Sequence, residues 1–265
     1  MHSASVGFQC PECVAEGRRT LRAPRTVFGG TLAGQAGYVT KTLIGINVAV
    51  FVIGLLAGGI AALGRGGLGG GATPLHLWGS VLGRAAISEG GQIIGIATGE
   101  YWRLFTAMFL HFGVLHLLVN MWALWILGRH LERMLGPARF IALYLLGGLG
   151  GSVAAYLFSA PNQLTAGASG AIFGMFAALF VVNRKLGLDN SGVIGLILIN
   201  LALGLFIPNI SMAGHLGGLV TGGVVALGLA YAPRHARTPV QVATGAVVAV
   251  LLVILVMLRT GMLVG

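Results

Sequence analysis

The feature that most limits this chain is a succession of seven apolar stretches of helical length. They lie near Thr42–Leu63, Leu104–Leu127, Phe140–Phe158, Gly170–Val182, Val193–Phe206, Met212–Ala230 and Val240–Leu258. A hydrocarbon core of about 30 Å asks for about 20 residues of helix, and backbone polar groups there must be satisfied within the segment. The chain is therefore expected to be an all-α integral membrane protein. Composition agrees, with 56% hydrophobic and 8% charged residues, far from a soluble domain. The 45 glycines sit largely inside apolar runs, which suits close helix packing in lipid. The formal charge of +10 comes from basic residues scattered between apolar stretches, so they build no basic face and predict no nucleic-acid partner.

Those charges instead predict topology. Arg18, Arg19, Arg22, Arg25 and Lys41 precede or open the first stretch. Arg129, Arg133 and Arg139 follow the second, Arg184 and Lys185 the fourth, and Arg234 and Arg237 the sixth. Only Arg65, Arg84, Arg103 and Arg259 fall on the other side. The positive-inside rule puts the N-terminus in the cytoplasm and the C-terminus outside, in a cell (plasma or inner) membrane. Three parts are expected: a polar leader over 1–38, a six-span core over 39–231, and a basic linker with a seventh span over 232–265. The long Gly64–Arg103 connection has an amphipathic middle, Pro74–Ile87, expected to lie along the interface.

The leader has no apolar run followed by a cleavage site, which argues against a cleaved signal peptide. It holds the only cysteines, Cys10 and Cys13, spaced as half of a tetrahedral zinc site. Apart from His2 no further ligand is nearby. The pair reads as the remnant of a zinc knuckle, as an inert or redox pair, or as a site shared between chains, and no cofactor is expected.

Gly167-Ala168-Ser169-Gly170 puts a hydroxyl between two glycines at the mouth of the short fourth stretch. Ser169 is fifteen residues before Arg184, roughly 22 Å up from that membrane surface. His215 stands at a matching height above Tyr231, and His116 above Arg129 is close to the same plane. Asn120 shares a face with His116 at i+4. His215, Gly218 and Gly222 form one stripe, an imidazole over a groove free of side chains, with Phe173 expected against its ring. The plain alternatives are a kinked helix with a Ser–Gly packing contact and a histidine bonded to a carbonyl.

Serine at its ordinary pKa needs an adjacent base, and His215 is the available one. The spans contain no acid placed to orient it, so a dyad is expected in place of a triad. His116, Asn120 and the Ser169 N–H could form an oxyanion hole. His111, His116 and His215 could by residue type ligate zinc. On a continuous helix, however, His111 and His116 diverge by about 140°.

With these residues in order, the chain resembles the rhomboid intramembrane serine proteases. The likeness rests on Trp102-Arg103, His111-x4-His116-x3-Asn120, Gly167-x-Ser169-Gly170 and His215-x2-Gly218-x3-Gly222, with Glu132-Arg133 and Gly136 resembling the family's turn after the second span. It implies a rhomboid-like six-helix bundle with an additional C-terminal transmembrane helix. It also implies Ser169 as nucleophile, His215 as base, His116 and Asn120 at the oxyanion, and single-span or other transmembrane proteins as substrates in the bilayer. His111, Phe173, Gly167, Gly170, Gly218, Gly222, Trp102 and Arg103 would support the site. The alternatives are an inactive rhomboid-like protein that binds membrane clients, and a small transporter.

Overall fold

Six helices of the computed structural model are long and apolar enough to cross a bilayer: Tyr38–Gly58, Val114–Leu135, Pro137–Phe158, Ser169–Leu186, Met212–Tyr231 and Arg234–Val264. A seventh apolar helix, Ser191–Phe206, has 16 residues, a rise of only about 24 Å. The chain is a multi-pass membrane protein. Residues 2–3, 7–20, 24–59, 71–86, 91–206 and 210–265 are described, so Arg22 and Arg65 of the topology count fall outside.

In chain order the helices are α1 (Pro11–Thr20), α2 (Tyr38–Gly58), α3 (Pro74–Gly79), α4 (Arg103–Thr106), α5 (Val114–Ala123), α6 (Arg129–Leu135), α7 (Pro137–Phe158), α8 (Ser169–Leu186), α9 (Ser191–Phe206), α10 (Met212–Tyr231) and α11 (Arg237–Val264). A π-helical turn, Leu124–Gly128, joins α5 to α6 in one rod. Two antiparallel pairs of two-residue strands, His2–Ser3 with Phe8–Gln9 and Ala85–Ala86 with Ile93–Ile94, lie outside the spans.

Helices α7, α8 and α10 form the centre. A Cβ on Gly218 would stand 2.0 Å from the Gly170 carbonyl oxygen, and one on Gly222 would stand 2.2 Å from the Gly174 Cα. The backbones of α8 and α10 therefore touch along the glycine stripe, an approach that any side chain would prevent. Tyr144, Phe140, Met175 and Leu124 fill the space toward the polar-leader end and are fully buried.

The expected second span is corrected. The apolar run from Leu104 to Leu127 is not one helix. Leu110 is extended (φ −95°, ψ 144°) and Gly113 takes φ 93°, a left-sided value that suits a residue without Cβ. His111 thus lies in the break, and the span proper starts at Val114 and continues to Leu135. The amphipathic middle is shorter than expected, because the helix begun by Pro74 stops at Gly79, and Ile87 lies outside the described residues.

Two polar devices tie the elements together. Glu132 on α6 is fully buried, and its carboxylate accepts from the Val39 N–H (3.0 Å), the Thr40 N–H (2.9 Å) and the Thr40 hydroxyl (2.7 Å). It caps the N-terminus of α2 in trans, satisfying donors that the helix cannot. At α11, Gln241 donates to Leu229 O (2.8 Å) and Phe28 O (3.3 Å). At its far end Thr260 Oγ1 bonds the Tyr156 hydroxyl at 2.9 Å. Phe28, from the leader, is only 2% exposed, so part of residues 1–38 packs into the bundle.

Candidate active site

Ser169 is the first residue of α8, reached through Gly167, whose φ of 140° is closed to most side chains. Space forbids one too: a Cβ on Gly167 would be 2.9 Å from His116 Nε2 and 3.5 Å from Ser169 Oγ. That point lies between the imidazole and the hydroxyl. The strand of chain before it is pinned by Gly167 N–H to Ala107 O (2.9 Å) and by the reciprocal pair Val81–Thr165 (2.8 and 3.0 Å).

His215 reaches the same place from α10. Its Nε2 is 3.0 Å from Ser169 Oγ, and its ring stacks on Phe173, with centroids 4.2 Å apart at 17°. Phe173, one turn into α8, holds the ring plane while the hydroxyl sets its edge. His215 Nδ1 is buried and has no hydrogen-bond partner among the described residues. Among the described residues no carboxylate or carbonyl orients it, and stacking on Phe173 holds the ring.

His116 opens the first turns of α5. Its Nδ1 accepts from the Phe112 N–H at 3.3 Å, which leaves Nε2 as the protonated, donating nitrogen toward Gly167 and Ser169. Asn120 Nδ2 donates to His116 O at 2.8 Å and keeps a second N–H, since an amide carries two. Ser169, His215, His116 and Asn120 all line one cavity of about 340 Å³, closed on other sides by Trp122 of α5 and Leu203 of α9.

The remaining sequence candidates divide. Gly170, Gly218 and Gly222 make the α8–α10 contact described above. His111 does not line the cavity. It is buried behind His116, ring centroids 5.0 Å apart at 64°, with neither ring nitrogen hydrogen-bonded among the described residues. Because it sits in the break before α5, the 140° divergence expected of a continuous helix does not describe the pair. Arg103 is 1% exposed and bonds Glu100 (2.7 Å), Leu77 O (2.6 Å) and Ser80 O (3.2 Å), while Trp102 stacks on Trp78. These two residues brace the loop that carries Val81, and hence the approach to Ser169, without entering the cavity.

Cys10 and Cys13 stand at the start of α1, outside the spans. The Cys10 thiol is held below its ordinary pKa by hydrogen bonds from the Cys13 side chain and backbone. Among the described residues no group of three or more His, Cys, Asp or Glu could hold a metal.

Sequence reasoning missed His76 and the α9 wall. His76 is buried, takes hydrogen bonds from Thr73 at Nδ1 (2.8 Å to the hydroxyl) and stacks on Phe112 at 4.4 Å, supporting the segment that fixes His116. The signal was present as Thr73-Pro74-x-His76, a helix start with a side chain three residues on that can return to the cap. Of the wall residues, Leu196 and Leu203 are apolar positions in an apolar helix and carry no such signal, and only Asn200 stands out as a polar residue there.

A hydroxyl and an imidazole in contact, recessed in a helical membrane bundle beside two unused donors, define a class: a polytopic membrane protein with a part-buried Ser–His pair inside its bundle. Comparison with known proteins narrows this. The Rhomboid domain model matches residues 98–232. Rhomboid protease GluP of Bacillus subtilis (strain 168) is 48% identical over 141 residues, 51% of this chain and 27% of GluP. Putative rhomboid protease YdcA of the same organism is 42% identical over 137 residues, 50% of this chain and 69% of YdcA. RHOMBOID-like protein 5 of Arabidopsis thaliana is 34% identical over 148 residues, 53% of this chain and 48% of that protein. The chain belongs to the rhomboid family. It spans about a quarter of the length of GluP and about two thirds of that of YdcA.

Proposed function

We propose that this protein is an intramembrane serine endopeptidase that cleaves transmembrane proteins through a Ser169–His215 dyad. The observation that carries the reading is the 3.0 Å contact between Ser169 Oγ and His215 Nε2 inside a cavity within the bundle. His215 Nε2 takes the hydroxyl proton as Oγ attacks the scissile carbonyl carbon. The carbonyl oxygen becomes an oxyanion held by His116 Nε2–H, the free N–H of Asn120 and the Ser169 N–H, which as the first residue of α8 has no partner within the helix. Collapse breaks the C–N bond, and His215 returns the proton to the leaving amine. Water, deprotonated by His215, then hydrolyses the acyl-enzyme and frees Ser169.

With the basic ends of the spans in the cytoplasm, Ser169 opens toward the outer face of a plasma or inner membrane. Cleavage is then expected near the outer end of a client's span. The test is a purified protein reconstituted with a single-span substrate. Wild type should release two fragments and react with a fluorophosphonate at Ser169. Ser169→Ala should do neither, with turnover lower by about 10⁴-fold or more. Fragments from Ser169→Ala at the wild-type rate would remove the dyad whatever the fold.

A further inference from the structure

At the end of the bundle opposite Ser169, three arginines converge. Arg237 Nη1 and Arg139 Nη2 lie 3.3 and 3.6 Å from the point where a Cβ on Gly29 would stand, close enough for one phosphate to bridge them. Arg25 Nη1 donates to Gly29 O at 3.1 Å. Every other acceptor these groups have is neutral: Arg139 Nε bonds Gln241 Oε1 (2.7 Å) and Arg237 Nη1 bonds Val27 O (3.2 Å). Among the described residues no ion pair joins Arg25, Arg139 or Arg237 to a carboxylate, whereas Arg103 pairs with Glu100 at the opposite end of the bundle. The three guanidinium groups therefore face one another with most of their donors unused and no carboxylate to offset them.

The backbone adds to this field. Helices α7 and α11 both begin here, neither has a side-chain cap, and neither carries an acid in its first turn. Each helix start bears a partial positive charge, where an anion is stabilising and a cation is not. Arg139 is the third residue of α7 and Arg237 the first of α11, the reverse of the usual preference. Such an arrangement is relieved by a bound anion. The surroundings indicate which one: Val27 and Val242, beside the cluster, are 61% and 65% exposed, and the two spans that start here put the arginines at the level where a bilayer keeps its headgroups.

We propose that Arg25, Arg139 and Arg237 bind the phosphate group of an anionic phospholipid, clasping the leader, α7 and α11 to that leaflet. The ligand chemistry is a phosphate, which a lipid headgroup or free phosphate could supply, and the test separates the two. Full-length protein in detergent is titrated with phosphatidylglycerol, with phosphatidylcholine and with inorganic phosphate, reading retained lipid by native mass spectrometry and thermal unfolding in parallel. Wild type should retain one phosphatidylglycerol in preference to phosphatidylcholine. Arg139→Gln and Arg237→Gln should each bind it roughly fivefold more weakly. Arg139→Lys should recover part of the loss, and Arg184→Gln, on the same face away from the cluster, should bind as wild type does. If the glutamine variants fold poorly, the lysine variant and Arg25→Gln carry the comparison. Equal retention by wild type and the arginine variants would overturn the proposal. So would stabilisation by inorganic phosphate with no lipid retained.

Discussion

Helices α10 and α9 line the same cavity, yet they are built in opposite ways. On α10, His215, Gly218 and Gly222 are buried, and the glycines press against the backbone of α8. On α9 the one buried residue is Val193, at its beginning, while Leu203, Leu205 and Phe206 at the cavity end are 47%, 74% and 82% exposed. A position held to a fraction of an ångström needs rigid neighbours. If the proposed helical substrate enters past α9, that wall needs the reverse, few buried contacts and a low cost of displacement. The proposed chemistry sits on the first kind of wall and lipid meets the second.

The sharpest way to break this contrast is at the proposed dyad. Ser169→Ala, His215→Ala and the double variant should each lose about 10⁴-fold or more in kcat/KM, with the double no worse than either single. Additive losses, measured on one reconstituted substrate, would mean that the two residues act separately. Next comes the same substitution made on each wall. Alanine at Gly222 would place its Cβ 2.2 Å from the Gly174 Cα, so α8 and α10 must part, at a cost of about 1–3 kcal/mol in an unfolding titration and with lost activity. Alanine at Gly204 of α9 would place its Cβ nearest to the Met212, Ile210 and His215 side chains, at 3.1, 3.3 and 3.7 Å, with no backbone among these three, and should shift stability by about 0.5 kcal/mol or less. Equal costs at the two positions would erase the distinction between the walls.

How far this could be read from residues alone follows the same division. Spacing from charged ends put Ser169, His215 and His116 at one height, because helical rise is fixed and the topological charges are explicit. The structure brings those side chains to one cavity. Spacing could not reveal the break at Leu110–Gly113, because an apolar run looks alike whether its helix is continuous or restarted, and the one signal was a glycine in a chain that has 45. His111 was misplaced for that reason. Glu132 and Arg103 looked like loop charges. Arg103 has a local partner in Glu100, but the groups that fix these two side chains in the bundle, Thr40 for Glu132 and Leu77 O for Arg103, are 92 and 26 residues away in sequence, which no local pattern encodes.

Smaller effects remain. A membrane helix shields its peptide bonds by internal hydrogen bonding, so on the proposed function a client must open before Ser169 can reach one. Replacing Gly or Pro near the outer end of a substrate span with Leu should slow cleavage roughly tenfold, given the ~1–3 kcal/mol helix preference involved. Equal rates would shift the opening step from client to enzyme. The smallest change is expected at the leader: Cys10→Ser with Cys13→Ser, or a strong chelator, should leave turnover unchanged. Loss on metal removal, restored by zinc, would replace serine chemistry with metal chemistry.

The Glu132 carboxylate has a consequence for assembly. Helix α2 is made before the other described spans, and the group that completes its start, from Val39 to Thr40, is made more than ninety residues later. Until α6 arrives, those amides must stay at the watery surface. The vertical position of α2 is therefore provisional during synthesis, and it locks only when the α5–α6 rod swings its acid beneath it. A chain halted before residue 132 should show α2 sliding in the membrane, as read by glycosylation-distance mapping, and one halted after α6 should show it fixed. In this sense the protein sets the depth of α2 retroactively.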